Sequence, residues 1–300
     1  MEKGVPIRSI SRSIAVLQCI NCRGSLSLTE IARLVMLPYP TVFRIIQTLM
    51  HEGLVTCEQG RKQYRATCMV ESLAAGYRED GSVVDAAQPH MIELTRHVGW
   101  PVTLSSAVGT SIIIRACTHN MSALTLSQYY RGDIFPLLEC APGHVHLAYS
   151  DEATRDCLLQ GLEKKHGSSV ALELFRRGQL TRRILDDGYA AVDRTQHTKD
   201  PGKTSSISVP LQMGAGRLAH LTVNFFASAM PLKGAVQRYL PDLRATADTI
   251  VAGTWMQPVA PQRRLGDAAD KAAKPRAPRP AGLAANASAV AAFAPAFVPA

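Results

Sequence analysis

Two short amphipathic segments separated by a proline-containing turn constrain the fold of this chain more than any other feature. Apolar side chains recur at helical spacing over residues 28–34 and again over residues 42–49. The turn between them contains Pro38 and Pro40, and proline suits the first turn of a helix because its missing N–H would be unpaired there. A hairpin with cations at its tip is indicated for residues 54–65. This order predicts a winged helix-turn-helix.

Capping signals place the ends of these helices. Ser27 and Glu30 form an S-x-x-E capping box, in which each side chain accepts a hydrogen bond from the backbone N–H of the other residue. Gly53 follows the second segment, where glycine is the usual residue beyond a helix end. A further helix is predicted to precede both segments, over residues 7–24. Its predicted apolar stripe consists of Ile10, Ile14, Leu17 and Cys19.

The second helix of the pair is predicted to read DNA. Its polar face lies opposite its apolar face, and in this motif such a helix enters the major groove, where side chains reach base edges and phosphates. A merely solvated face is the alternative. The residues predicted to contact DNA are Ser27, Tyr39, Pro40, Thr41, Arg44, Gln47, Thr48, Arg61 and Lys62.

The predicted DNA contacts differ in kind. Arg44 and Gln47 lie one turn apart and are predicted to contact bases or phosphates. Tyr39 and Thr41, at the helix entry, either contact phosphate or cap the helix locally. The cations at the hairpin tip are expected to contact phosphates rather than bases. The net charge of +9 agrees with a polyanionic partner.

The second half of the chain predicts a different architecture. From Trp100 the apolar residues alternate with a period of two, which indicates strands, and helical segments are interspersed among them. We expect an α/β or α+β ligand-sensing domain with an antiparallel sheet, and of the two the α+β class. The predicted strands are 102–106, 111–117, 124–129, 189–193, 206–211 and 217–227. The predicted helices are 86–98, 140–149, 151–162, 170–187 and 232–251, the last kinked at Pro241.

Four regions are therefore expected. Residues 1–68 form the winged helix-turn-helix, 69–85 a linker helix, and 86–255 an effector-binding and oligomerisation domain. Residues 256–300 are mostly Ala, Pro and basic residues. Such a composition buries too little surface to offset the entropy of ordering, so disorder is predicted there.

Several function classes are disfavoured. No apolar stretch approaches the roughly 20 residues of a membrane span, and no signal-peptide core is present, so we expect a cytoplasmic protein without a membrane partner. Seven scattered cysteines favour reduced thiols. Cys19 and Cys22 lack the second pair that a zinc site needs. No nucleophile elbow is present, so no catalytic residue, metal or cofactor is expected and the chain is predicted not to be an enzyme.

Polar residues on apolar elements are the candidate effector contacts. Arg115 and His119 interrupt an apolar hairpin, and Arg115 would pair with a ligand carboxylate or, alternatively, with an acidic residue of the chain. Thr222 and Asn224 share one face of a strand, and a solvent-facing row is the alternative for them.

The start of the helix at residues 140–149 is a further candidate. Free backbone N–H groups at a helix start can bind an anion, and a glycine there permits close approach. The effector contacts predicted at this helix start are Cys140, Ala141 and Gly143.

The chain resembles the isocitrate-lyase-regulator (IclR) family of bacterial transcription factors. SLTEIARL, LPYPTVFRIIQTL and EGL resemble its DNA-binding domain. Elements of its effector domain follow in the same order, and the resemblance covers residues 8–255. These elements are GWPVTLS, VGTSIIIRACTH, FPLLECAPGHVHLAY, DDGYA, SSISVPL and LTVNFFASAM. Within the family the chain is most similar to activators of phenylpropionate and related aromatic-acid catabolism.

The resemblance implies a GAF-like sensory domain, homodimers or homotetramers, and a small organic, aromatic-acid effector. It adds Ser206, where relatives often carry a pocket cysteine, and Ser208 on the same strand face. A solvent-facing row is the alternative for these two serines as well. Tyr39-Pro40 replaces the Lys-Ser or Arg-Ser pair common in the family. The operator sequence recognised by relatives is therefore not expected to apply to this chain.

The expected function is a ligand-responsive regulator that binds a pseudo-palindromic operator in double-stranded DNA. Its effector would change the placement of the DNA-binding domains or a contact with RNA polymerase. Activation of an aromatic-acid operon is the first expectation. The alternatives are a repressor released by its ligand, a ligand-independent DNA-binding oligomer, and an enzyme with a DNA-binding appendage.

Overall fold

The computed structural model describes residues 7–58, 60–74, 82–124, 129–193, 203–213 and 217–255. The first of its two folded regions is a winged helix-turn-helix, as predicted. Its elements are α1 (Arg8–Arg23), β1 (Leu26–Ser27), α2 (Leu28–Val35), α3 (Tyr39–His51), β2 (Val55–Cys57) and β3 (Gln63–Ala66). The strands form an antiparallel sheet in the order β1-β3-β2.

Three helices and the sheet enclose a small core. Its buried residues are Val16, Ile20, Leu28, Ile31, Val42, Ile46, Leu49 and Val55. The apolar stripe predicted for α1 is only partly correct. Leu17 packs against the core, but Ile10 and Ile14 are 54% and 51% exposed, and Val16 and Ile20 face the core instead. Since the apolar residues of α1 surround the helix rather than form a single stripe, only contact with α2 and α3 selects the buried face.

The predicted capping signals are present. Ser27 Oγ accepts a hydrogen bond from the Glu30 N–H at 3.3 Å, and the Glu30 carboxylate accepts one from the Ser27 N–H at 2.8 Å. Gly53, beyond the end of α3, has φ +72°, a conformation that glycine adopts without strain.

Two helices lead into the second region. The linker helix appears as α4 (Val70–Ala74), and residues 75–81 lie outside the described part of the chain. The following helix, α5 (Ser82–Val98), begins earlier than the predicted residue 86 and continues through Pro89.

A six-stranded antiparallel sheet organises the second region and confirms the predicted α+β class. Its order is β6-β5-β4-β9-β8-β7. The strands are β4 (Val102–Val108), β5 (Ser111–Cys117), β6 (Ile134–Pro136), β7 (Ala190–Val192), β8 (Thr204–Met213) and β9 (Arg217–Phe226). Of the strand predicted at 124–129, residues 125–128 lie outside the described residues, and Leu124 and Tyr129 belong to no strand.

Helices cover both faces of this sheet. They are α5, α6 (Ala141–Tyr149), α7 (Glu152–His166), α8 (Val170–Arg176), α9 (Gln179–Asp187) and α10 (Leu232–Trp255). The single helix predicted over 170–187 is wrong, because Gly178 takes a left-handed conformation and starts a new helix. The final helix runs through Pro241 and ends at Trp255 rather than at residue 251.

The two sheet faces have different chemistry. One face is apolar and packs against α5 and α10 through side chains that include Leu104, Leu221 and Phe225. The other face carries hydroxyl, amide and imidazole groups and lies beneath α6. Between this polar face and the segment 129–142 the chain leaves a cavity.

The predicted tail at 256–300 lies outside the described residues. Within the part of the chain that the structure describes, no helix has the length and apolar character needed to cross a membrane.

Candidate functional site

Helix α3 presents an exposed polar face. Arg44, Gln47 and Thr48 are exposed, opposite the buried Val42 and Leu49. The Thr48 hydroxyl donates to the Arg44 carbonyl oxygen at 3.1 Å, so only its lone pairs remain for another partner. The arrangement leaves a guanidinium and an amide one turn apart, groups that bind guanine, adenine or phosphate in a major groove.

The entry of α3 is capped by the backbone alone. Its N-cap is Pro38, no side chain caps the helix, and the Thr41 N–H donates to the Pro38 carbonyl oxygen at 3.0 Å. Local capping by Tyr39 or Thr41 is therefore not realised. Tyr39 is 51% exposed and Pro40 is exposed beside it.

This face of α3 also has an apolar part that was not predicted from the sequence. Phe43 is 41% and Met50 40% exposed on α3. Apolar side chains in a major groove contact the methyl group of thymine. The sequence did indicate that Phe43 would be exposed, because residue 43 falls outside the buried apolar series at 42, 45, 46 and 49.

The remaining predicted DNA contacts separate into two groups. Arg61 and Lys62 are exposed in the connection between β2 and β3, as a phosphate contact requires. Ser27 instead has its hydroxyl engaged in the capping box with Glu30. The structure thus gives Ser27 a local role in starting α2.

The cavity of the second region contains about 540 Å³ of space between atoms, part of which is open to solvent. Its lining combines apolar side chains with polar groups from strands β4, β8 and β9 and from the residues just before α6. The apolar residues are Ile112, Ile114, Tyr129, Phe135, Pro142 and Val192. The polar residues are Thr103, Ser105, Glu139, Cys140, Thr204, Ser205, Ser206, Thr222 and Asn224.

Four of the predicted effector residues line this cavity. Ser206 and Asn224 are cross-strand partners on β8 and β9, and Thr222 lies two residues from Asn224 on the same face. Cys140 joins them from the start of α6. Although Cys140 keeps some exposed surface, desolvation raises the pKa of its thiol to about 12, so the sulfur stays protonated.

The alternative, in which these side chains form a row facing solvent, is wrong for Thr222 and Ser208, because both are buried. Thr222 Oγ1 lies 2.9 Å from Ser208 Oγ, which lies 3.4 Å from the Leu221 carbonyl oxygen. Ser208 is thus a partner of Thr222 and does not itself line the cavity.

Two buried hydroxyls in the cavity lining point to a ligand. Ser105 Oγ and Thr204 Oγ1 are shielded from solvent and have no hydrogen-bond partner among the described residues. A buried hydroxyl without a partner costs about 1–3 kcal/mol. A bound molecule, or water in its absence, would remove that cost.

The other predicted effector residues lie outside the cavity lining. Ala141 is fully buried in α6. A Cβ atom on Gly143 would overlap the backbone of Leu137. The glycine is therefore needed for close packing of α6 against Leu137, and not for the approach of an anion. His119 is buried, with its ring 4.7 Å from the ring of Tyr129, and borders the cavity through that tyrosine.

Arg115 lies in a different place from the one predicted. Ile112 and Ile114 of β5 face the cavity, and the alternation of the strand turns Arg115 away. It lines a second cavity together with His146 and Arg217. A contact between Arg115 and a carboxylate in the first cavity is therefore not supported.

Three histidines, two on α6 and one on β9, stay uncharged. Burial lowers the pKa of His144 and His146, and burial beside His146 lowers that of His220 to about 3. A His220 ring nitrogen, Nδ1, lies 3.2 Å from the Ser105 carbonyl oxygen, and this ring is 5.5 Å from that of His146.

Most residues of the cavity lining were not predicted from the sequence. Thr103 and Ser105 lie in a strand that was predicted, and the alternation of β4 gave a usable signal for them. Thr204 and Ser205 precede the strand predicted at 206–211, because β8 begins two residues earlier. Glu139 follows from no periodic pattern, because it lies in a 3₁₀ turn, Leu137–Glu139, just before α6. Within the described ranges, no group of three or more His, Cys, Asp and Glu residues is placed to hold a metal ion.

Comparison with known proteins identifies both regions. Residues 9–58 match the IclR helix-turn-helix domain, and residues 76–252 match the bacterial transcriptional regulator IclR C-terminal domain. The transcriptional regulator KdgR of Escherichia coli is 27% identical over 164 residues, 54% of this chain and 61% of the relative. TsaQ1/TsaQ2 of Comamonas testosteroni is 24% identical over 54% of this chain and 58% of the relative. The chain thus spans about three fifths of the length of each.

Solved structures share the fold over most of the chain. An IclR homologue from Microbacterium hydrocarbonoxydans, complexed with 4-hydroxybenzoate, has a TM-score of 0.59 at 20% identity, covering 83% of this chain and 100% of that one. The Thermotoga maritima IclR has a TM-score of 0.56 at 17% identity, covering 82% and 98%. At these identities the likeness concerns the fold alone.

Proposed function

Because the chain belongs to the IclR family of bacterial transcriptional regulators, we propose that it is a regulator whose DNA affinity or activity responds to a small organic effector in the cavity. Members of this family are DNA-binding regulators, not enzymes, in line with the prediction. The observation that carries the proposal is the presence, in one chain, of a helix with an exposed polar face and a cavity lined by two buried hydroxyls without a hydrogen-bond partner among the described residues.

The DNA contacts proposed are those that the structure leaves exposed. Arg44 and Gln47 read bases, while Arg61 and Lys62 bind phosphates of the adjacent backbone. Tyr39, Pro40, Thr41 and Thr48 complete the surface, with Phe43 as an apolar contact.

A homodimer on a pseudo-palindromic operator is part of the proposal, with half-sites about one helical turn apart or a multiple of it. The exposed side chains of Ile7, Ile10 and Ile14 along α1 support self-association, since a contiguous apolar surface marks an interaction site. Assembly of two dimers into a homotetramer is the alternative state.

Aromatic acids are the first class of effector to test. The apolar side chains of the lining suit an aromatic ring, and a relative of the same fold was crystallised in complex with 4-hydroxybenzoate. The proposed contacts are Cys140, Ser206, Thr222 and Asn224, with the unpartnered Ser105 and Thr204.

The direction of control rests on the resemblance alone. Activation of an aromatic-acid operon, through the placement of the DNA-binding domains or a contact with RNA polymerase, is proposed first. Release of a repressor is the alternative. In either case the effector shifts the equilibrium only by its difference in affinity for the two states.

Genomic footprinting with the full chain tests this proposal. We expect protected sites containing two related half-sites, with protection or site geometry changed by a metabolite that binds the cavity. The Arg44→Ala variant should lose these sites. Absence of any protected site, with or without metabolites, would refute the regulator. Protection that no cavity-binding metabolite changes would favour a ligand-independent DNA-binding oligomer.

A further inference from the structure

The turn that precedes β6 is anchored to a strand of the cavity. The Gly132 N–H donates to the Ile114 carbonyl oxygen at 2.8 Å, and the Ile114 N–H donates to the Asp133 carbonyl oxygen at 2.9 Å. Within the turn, the Asp133 carboxylate accepts a hydrogen bond from the Tyr130 N–H at 2.8 Å. Residues 130–133, called the contact turn below, are therefore fixed to β5, which also lines the cavity.

The residue before the contact turn faces the cavity. Tyr129 is buried and lines the cavity beside Phe135. The centroid of its ring lies 4.7 Å from that of His119 and 5.4 Å from that of Phe135, both in edge-on geometry. The Tyr129 carbonyl oxygen accepts a hydrogen bond from the Cys117 thiol of β5 at 3.1 Å. A molecule in the cavity would therefore contact a ring whose backbone continues directly into the contact turn.

The contact turn itself meets the C-terminal end of α1. The Arg23 guanidinium, on the last residue of α1, lies 5.5 Å from the centroid of the Tyr130 ring, the geometry of a cation–π contact. Cys22 Sγ lies close to Gly132, so that a Cβ atom on this glycine would be 3.0 Å from the sulfur. Gly132 also has φ +94°, a conformation that glycine adopts without strain.

A charge of the contact turn acts on α1 as well. Burial raises the pKa of the Cys19 thiol, the Arg23 cation opposes this rise, and the Asp133 carboxylate adds to it. Cys19 lies one helical turn before Cys22 and Arg23 on α1. The end of α1 is therefore in contact with the contact turn through a ring, a sulfur atom and a charge.

We propose that the contact turn is a docking surface for the DNA-binding region of the same chain and that it transmits the state of the cavity to α1. Tyr129 and Tyr130 are adjacent, so a ligand that displaces the first ring moves the backbone that holds the second. Helix α1 packs against α2 and α3, so release of its end changes the placement of the DNA-contacting helix. This inference rests on the proposed function and names the contact through which the effector acts.

Alkylation of Cys22 by iodoacetamide in the full, reduced chain tests the docking. Peptide mass spectrometry at neutral pH gives the rate at each cysteine. Because its sulfur packs against Gly132, we expect Cys22 to react at least about fivefold more slowly than the exposed Cys157. Tyr130→Ala should raise the Cys22 rate about two- to fivefold, the change that corresponds to one exposed cation–π contact. Tyr130→Phe keeps a ring beneath Arg23 and should leave the rate unchanged.

Two cavity variants test the link between the cavity and α1. Tyr129→Ala removes the ring next to the contact turn and should raise the Cys22 rate at least about twofold, the lower end of the range for coupling between sites. Val192→Ala trims the same cavity from β7, at the opposite edge of the sheet, and should leave the rate unchanged. Cys57, half-buried in β2 of the DNA-binding region, reports general loosening and should react at the same rate in every variant.

Several results would overturn the inference. They are a Cys22 rate equal to that of Cys157, a Cys22 rate unchanged in Tyr129→Ala, an equal rise in Val192→Ala, and a matching rise at Cys57. The measurement needs neither effector nor operator. Faster alkylation as expected, together with operator protection that no metabolite changes, would therefore refute the proposed effector response. Unchanged alkylation beside a metabolite-dependent footprint would refute the docking alone.

Discussion

The DNA-binding face and the cavity are both built from polar side chains, yet they lie on opposite sides of the boundary with solvent. On α3 the polar residues are exposed, and each keeps most of its hydrogen-bonding capacity for a partner outside the chain. In the cavity the polar residues are buried or half-buried; Thr222 and Cys140 donate their hydrogens to neighbours in the chain, whereas Ser105 has no partner among the described residues.

Because of this difference, substitutions in the two regions should affect binding and stability differently. A substitution on the exposed face should change DNA affinity and leave stability nearly unchanged, because surface side chains contribute little to folding. A substitution around the cavity should change both ligand binding and stability, since buried polar groups and close packing are involved. The four predictions below test that separation.

The largest effect is expected at Gly143. A Cβ atom there would overlap the Leu137 carbonyl group, which is backbone and cannot rotate away. Gly143→Ala should lower the free energy of unfolding by about 3 kcal/mol or more, measured by urea denaturation. In Gly161→Ala of α7, the new Cβ would lie an ordinary 3.5 Å from Thr110 Cγ2, and stability should hold or rise slightly. Equal stability of the two variants would contradict the packing account.

Arg44→Ala should show the opposite behaviour. If Arg44 reads a base, the variant loses about 1–3 kcal/mol of affinity for the specific site and much less for random DNA, with an unchanged unfolding curve. Fluorescence anisotropy on both duplexes measures this. Arg182→Ala, an exposed arginine on α9, removes the same charge elsewhere and serves as the control. Equal weakening on both duplexes would reassign Arg44 to phosphate.

Acidification should destabilise the second region through its buried histidines. The folded pKa of His220, about 3, lies below the ordinary value near 6.5, so the unfolded chain binds more protons between these values. The stability that depends on an uncharged His220 is fully present above about pH 6.5. As the pH falls below this value, the free energy of unfolding decreases by up to about 1.4 kcal/mol per pH unit for each such histidine. His220→Gln should reduce the slope of unfolding free energy against pH, whereas His51→Gln, at an exposed position, should not.

Ser27→Ala is expected to give the smallest effect. Loss of the capping box should cost about 1 kcal/mol of stability, seen as a lower melting temperature. DNA affinity per folded molecule should stay the same, because the hydroxyl is engaged with Glu30. A clear loss of affinity at unchanged stability would restore Ser27 to the DNA contacts.

Local patterns were sufficient for the first region and for the class of the second. The periodicity of α2 and α3, the capping box and the alternating strands follow from interactions between residues close in sequence. The face that α1 buries did not follow, because isoleucines occur on both its sides and packing against α2 and α3 selects one. The break at Gly178 was likewise hidden within a continuous apolar series.

By itself the sequence determined that a winged helix-turn-helix precedes an antiparallel sheet, and it indicated Ser206, Thr222 and Asn224 through strand alternation and resemblance. Only the tertiary structure decided which polar residues share a cavity. It brought Glu139, Ser105 and Thr204 into the lining and turned Arg115 into another cavity. The physical reason is that a cavity wall is assembled from several strands and a turn distant in sequence, and their relative positions depend on packing that no local pattern encodes.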